Sequence, residues 1–318
     1  MSEQSSLEKS ALEQLLNNSF KEQRRSRRWG IFFKLVFLIY FGFTLWLLYP
    51  SESLSTINKN KPHTALIDIK GELDSDAQSN ADNIATALAG AFRDSNTRGI
   101  ILRINSPGGS AVQAAYIYDE IMRLKKKYPN VKVYAVCSEE CASAAYYIAS
   151  AAHEIYANPA TIVGSIGVLM EGFGFVNTMN KVGVERRLFT AGSHKGFLDP
   201  YSPLKPSDPA YAQQMLDIVH TQFIKAVQDG RGNRLKNNPD LFTGLAWTGR
   251  QALDMGLIDG FGSAGFVARN IIKNEIIVDY TVKPSYVDIL ANKIGASFAQ
   301  QISSEFGLHK GIQAIEHN

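Results

Sequence analysis

The run from Trp29 to Tyr49, WGIFFKLVFLIYFGFTLWLLY, divides this chain in two. A helix needs about 20 apolar residues to cross the hydrocarbon core of a bilayer, and the run has that length. Its one charge, Lys34, lies near the basic end, where a long side chain reaches toward the headgroups. Trp29, Trp46 and Tyr49 stand near its ends, as interfacial aromatics do. A cleaved export signal would have a shorter apolar region followed by a small-x-small site, and YPSESLSTIN offers none. A buried soluble helix would keep a polar face, which this run lacks. Lys21, Arg24, Arg25, Arg27 and Arg28 precede the run, so the positive-inside rule puts residues 1–28 in the cytoplasm. Everything after Pro50 is then expected outside, behind a single-pass anchor.

Beyond the anchor the chain has the composition of a folded domain. Outside the basic cluster charge is nearly balanced, and the net charge of the chain is +3, so no nucleic-acid surface is expected. Two cysteines, Cys137 and Cys141, supply neither a disulfide framework nor a four-ligand zinc site. They are either a bridged pair or two small buried apolar residues. Residues 50–63 are rich in Ser, Asn and Lys and read as a linker. A domain is expected over 64–280, with a partly helical tail over 281–318. In the domain, short β-branched runs (ALIDIKG, GIILRI, VKVYAV) alternate with helical patterns near 82–93 and 111–127. That alternation predicts an α/β fold, a mainly parallel sheet with helices on its faces. A long helix is expected over 209–228 and a short one over TGRQALDMG. Ile289, Ile294, Phe298, Ile302 and Phe306 recur at near-helical spacing in the tail.

Three segments carry residues fit for chemistry. The loop NSPGG, Asn105 to Gly109, follows an apolar strand and so lies at the carboxyl edge of the sheet, where α/β proteins bind ligands. Gly108 and Gly109 let backbone N–H groups approach a ligand, which suits an oxyanion hole as well as a plain tight turn. The Lys-Ser/Thr of a phosphate loop is missing. Ser143, in ECASAAYY, stands at the start of a helix with its own and the next N–H expected to be free. It is either an N-cap or a nucleophile flanked by small residues. No histidine stands in a triad-like setting, and the G-x-S-x-G elbow is absent. His153 is expected late in the same helix, too far along it to touch Ser143. Lys195, in the loop AGSHKGFLDPYSP, is a candidate base, because a buried lysine can lose its proton near neutral pH.

Five features in order (NSPGG, SAAYYIASAAHEIYA, TIVGSIGV, the Lys195 loop and WTGRQALDMGLID) resemble signal peptide peptidase A of the short bacterial type. That group lies within the Ser/Lys peptidases of family S49, related to the Clp protease and crotonase fold. The resemblance covers roughly residues 60–265 plus the single-span N-terminus. It implies Ser143 as nucleophile, Lys195 as general base and Ser165 as the hydroxyl that orients the lysine. It implies oxyanion and substrate contacts from Gly108, Gly109 and Ala144, with no metal or cofactor. It further implies hydrolysis of remnant signal peptides, a bacterial inner membrane with the domain periplasmic or otherwise extracytoplasmic, and a homo-oligomer whose sites are shared between subunits. One departure stands out: many members have Gly-Gly after the nucleophile, where this chain has Ala144-Ala145. A crotonase-like acyl-CoA enzyme and a catalytically inactive membrane scaffold are the competing expectations.

Overall fold

The computed structural model describes residues 21, 23–44 and 60–283. It separates into two units, Met1–Ser53 with Ser285–Asn318, and Leu54–Pro284. In the first, residues 23–44 form a helix whose apolar side chains are exposed, among them Phe33, Phe37 and Ile39. Among the described residues no helix is long and apolar enough to cross a membrane. Residues 45–49 of the expected span, and the stripe from Ile289 to Phe306, lie outside the described residues.

The second unit is built on an eight-stranded sheet. Four strands form its long centre and one flank: β1 (His63–Lys70), β2 (Thr97–Ser106), β3 (Lys132–Ala142) and β8 (Ile277–Asp279). The other flank holds β4 (Glu154–Ala157), β5 (Ile162–Gly164), β6 (Ala246–Thr248) and β7 (Gly260–Phe261). Strand order is β6-β5-β3-β2-β1-β8, with β4 beside β3 and β7 beside β4; every pairing is parallel except β5 with β6. Parallel neighbours need crossovers, and the helices α1 (Ala81–Arg93) and α2 (Ala111–Lys127) supply two of them. Local chemistry marks where these helices start. The Asn80 side chain accepts the Asn83 N–H (2.9 Å), and Ser110 accepts that of Gln113 (3.3 Å).

Strand alternation sorts the apolar residues into two cores. Ala65, Ile67, Ile69, Ile100, Leu102, Ile104, Val133 and Ala135 face α1, α2 and the helix α3 (Ala144–Ser150). Leu66, Ile101 and Val136 face the other way, onto a smaller cluster with Val267 and Ala268. Burial on both faces explains why the strands read as continuous apolar runs. The long helix α5 (Ser207–Arg231) packs along α3, after a short helix α4 (Val176–Lys181). Its last residue is a buried arginine: Arg231 makes a fork to Asp259, with bonds of 2.7 and 3.0 Å. The TGRQAL segment forms the helix α6 (Gly249–Asp254), opened by a capping box between Thr248 and Gln251.

Candidate active site

Strand β3 delivers Ser143, and it does so out of register. Ile104 of β2 faces Cys137, but Ser106 faces Cys141, so β3 carries extra residues against its neighbour. Such a bulge re-aims the end of a strand. Asn105 fixes it by accepting the N–H groups of Glu139 (3.3 Å) and Glu140 (3.2 Å) on Oδ1. The Thr161 hydroxyl donates to the Ser138 carbonyl at 2.5 Å. Burial, then the neighbouring Cys137, pushes the Cys141 thiol well above its ordinary range. Both are free and buried.

At the end of β3 the backbone of Ser143 turns to φ 53° and ψ −128°, where L-residues are strained, and α3 begins at the next residue. Its side chain makes no capping bond, so the N-cap role open from sequence is not the one it fills. One expectation is corrected here. The Ser143 N–H is not free; it donates to the Gly164 carbonyl at 2.8 Å, which holds the strand-to-helix turn in place. Ala144 N–H, by contrast, meets no acceptor among the described residues. Gly109 N–H likewise meets none. A Cβ on Gly108 (φ 116°) would come within 2.7 Å of Ser143 Cβ, and one on Gly109 (φ 130°) within 2.7 Å of the Leu73 nitrogen. Only glycines let the NSPGG loop lie this close to both the Ser143 turn and the segment after β1.

Ser165 is strained in the same manner, at φ 49°. Its N–H donates to the Leu245 carbonyl (2.9 Å), while Gly164 before it accepts from Ser143. Beneath them lies Trp247, whose indole Cδ1 would sit 2.9 Å from any Cβ at Gly164. Among the described residues four non-glycines have positive φ, and two of them are these serines, joined through one carbonyl. Strain gathered at one spot is what a site held by its surroundings looks like.

Ser143, Ser165, Gly109 and Ala144 line one cleft of about 730 Å³. Its walls are apolar: Val168, Leu169 and Met170 on one side, Met215, Val219 and Phe223 of α5 on another. Tyr147 closes the floor, and burial raises its phenol above the ordinary value, so it stays neutral. Ala144 lines the cleft, but Ala145 is fully buried in the core, so only the first of the two added methyls bears on a substrate. Among the described residues no group of three or more His, Cys, Asp or Glu side chains converges as a metal-ligand set.

Lys195 is elsewhere. It is exposed on a turn where its N–H donates to Gly192 (3.1 Å), and it takes no part in the cleft lining. Within one chain the structure therefore gathers Ser143, Ser165, Gly108, Gly109 and Ala144 and leaves Lys195 outside. His153 lies beyond the helix it was expected in: α3 ends at Ser150, and the Nδ1 of His153 accepts the Val133 N–H (3.0 Å). Two residues of the site went unnoticed in the sequence. Trp247 was seen only as part of a motif. Glu72 follows a strand and a glycine turn with nothing around it to suggest a cleft.

Comparison with known proteins bears on what this arrangement is. Residues 125–274 match Peptidase family S49, and residues 53–162 match Clp protease. Residues 125–274 are thus similar to peptidase family S49. The S49 match holds Ser143, Ser165 and Lys195, and the Clp protease match holds Gly108, Gly109 and Ser143. Among curated relatives, a putative signal peptide peptidase SppA of Enterococcus faecium is 28% identical over 205 residues, 64% of this chain and 59% of its own length. A Na(+)/H(+) antiporter NhaA of Brucella melitensis is 44% identical over 178 residues, 56% of this chain but only 24% of the relative. The chain thus spans a quarter to about three fifths of the length of these relatives. A solved structure of a mutant 1510-N membrane-bound stomatin-specific protease in complex with a substrate peptide aligns with a TM-score of 0.42 at 18% identity, over 74% of this chain and 98% of its own.

Proposed function

We propose that this S49-like domain is a membrane-anchored serine endopeptidase working through Ser143 and Lys195, with remnant signal peptides as substrates. The observation that carries the reading is Ser143 itself. A serine at a helix start, strained in backbone, making no cap and opening onto an apolar cleft between two unused N–H groups has the attributes of a nucleophile. Neutral Lys195 takes the hydroxyl proton as Ser143 Oγ attacks the scissile carbonyl. The N–H groups of Gly109 and Ala144 hold the oxyanion, and Ser165 orients the lysine. The ammonium then gives its proton to the leaving amine, and water repeats the sequence on the acyl-enzyme.

Because Lys195 lies outside the cleft of its own chain, the lysine of each site is proposed to come from a neighbouring copy. The segment that bears it supports this. Leu169, Phe173, Phe189 and Leu204 are between 63% and 91% exposed, more apolar surface than an isolated arm would keep. Apolar cleft walls suit an apolar peptide. The apolar run over 29–49, with its preceding basic cluster, supports a single-pass anchor in a bacterial inner membrane with the domain on the outer side.

Cleavage of an apolar fluorogenic peptide by the full chain tests the reading. Ser143→Ala and Lys195→Ala should each lose at least about a thousandfold in turnover. Full activity in either variant would sink the assignment.

A further inference from the structure

The cleft that holds Ser143 is apolar along its walls, and one ionisable acid breaks the pattern. Glu72 lines the cleft, exposed, in the segment between β1 and α1. It is the one charged side chain in the lining among the described residues. Its place relative to the reacting centre is fixed by backbone. Leu73 and Gly109 form a β-bridge, Leu73 N–H donates to the Gly108 carbonyl (2.8 Å), and Ser110 N–H donates to the Leu73 carbonyl (2.7 Å). A Cβ at Gly109 would lie 3.0 Å from Glu72 Cγ, so the carboxylate is tethered about one side chain from an N–H offered to the oxyanion. The neighbouring charges are engaged with one another: Lys70 pairs with Asp68 at 2.8 Å, and Arg103 makes a fork to the same carboxylate. Glu72 makes no ion pair among the described residues.

We propose that Glu72 is a specificity determinant, selecting peptides that carry an ammonium or guanidinium within a few residues of the scissile bond. The inference rests on the peptidase reading and adds a polarity to it. An apolar substrate alone would gain nothing from an unpaired carboxylate at the mouth of the cleft, while a cation there would find a partner without desolvating it fully. A signal peptide is positively charged toward its amino end and apolar in its middle. The two parts of such a chain match the two surfaces of this cleft. The cation has two sources, a Lys or Arg side chain or the free amino end of a fragment already cut, and the recognition chemistry is the same for both.

The test uses the full-length protein and a peptide set with one apolar core. Lys, norleucine or Glu is placed in turn at each of several positions either side of the cut, with the amino end free or acetylated. At one position the wild type should prefer Lys to norleucine by about three- to fivefold in kcat/KM, the size an exposed ion pair supplies, and mostly through KM. The preference should shrink as salt is raised. In Glu72→Gln the Lys-to-norleucine ratio should fall to about one, and in Glu72→Lys the Glu peptide should become the favoured one. If the free amino end is the cation recognised, acetylation abolishes the preference and the side-chain series is flat. The same ratio in wild type and Glu72→Gln, for both sources, overturns the proposal. Peptide affinities measured by fluorescence anisotropy on Ser143→Ala protein separate the two layers. Peptides that are cut but chosen without regard to charge overturn the role of Glu72 alone. Charge-selective binding with no cleavage by the wild type overturns the peptidase reading and leaves the role of Glu72 standing.

Discussion

At Ser143 the chain holds φ at 53° on a residue with a side chain, and that conformation costs on the order of 1–3 kcal/mol. Glycine adopts it without strain, at an entropic cost of about 0.5–1 kcal/mol. Ser143→Gly is therefore expected to abolish turnover and raise stability by about 1 kcal/mol, read as a higher urea midpoint. A less stable variant would mean that the turn is not strained. Part of this was legible in the residues. Small neighbours and a preceding apolar strand marked Ser143 as an accessible serine at a helix start, and two adjacent glycines marked a close approach. The sequence left open whether the hydroxyl caps the helix, because capping depends on where a side chain points. It also misplaced the free N–H, since the acceptor that takes it, Gly164, lies on a strand with no sequence link to the turn.

Elements hold the site through two polar anchors, each with a measurable signature. The first ties the end of α5 to the segment before β7. Asp259 accepts from Arg231, whose side chain is fully buried, and from the Ile155 N–H at 2.7 Å. Asp259→Asn leaves that guanidinium without a counter-charge and should cost about 3–5 kcal/mol by urea denaturation. Arg231→Met should cost less, because the carboxylate keeps Arg234 at 3.3 Å. The second anchor is His153, where β4 begins. Burial, then the charges of Lys125 and Lys132, push its imidazole down to about 4. An unfolded histidine titrates near 6.5, so between these values the unfolded chain binds a proton that the folded one refuses. Stability held above pH 6.5 is then lost as pH falls toward 4, by roughly 1 kcal/mol for a half-exposed ring. His153→Gln keeps an acceptor for Val133 N–H and should flatten that part of the profile. The main elements were readable from periodicity, as α2 and the strands 97–106 and 154–157 show. Strand β3 was cut short at Val136, because a bulge that sets Ser138 to Glu140 against the single residue Asn105 breaks the alternation on which a strand is recognised. Strand β8 was not foreseen either: three residues are too few for a pattern, and their partner is β1, more than two hundred residues earlier.

On the scale of the whole molecule, the proposal that the base comes from a neighbouring copy makes activity a property of the assembly. Ser143→Ala and Lys195→Ala proteins, each inactive alone, should recover a fraction of wild-type turnover when mixed under exchange conditions. Turnover per chain should also fall on dilution. No recovery on mixing, with turnover independent of concentration, would place base and nucleophile in one subunit. The cleft itself is assembled from distant parts: the residues after β1, the loop after β2, the end of β3, the residues after β5, one face of α5, and Thr243 with Gly244. A chain emerging from its amino end therefore carries Ser143 long before it carries the rest of the cleft. On the proposed reading, a nascent copy lacks the cleft until the residues near 244 have arrived, and until then it cannot cut itself or the chains beside it. Topology alone would then keep the proposed activity latent during synthesis.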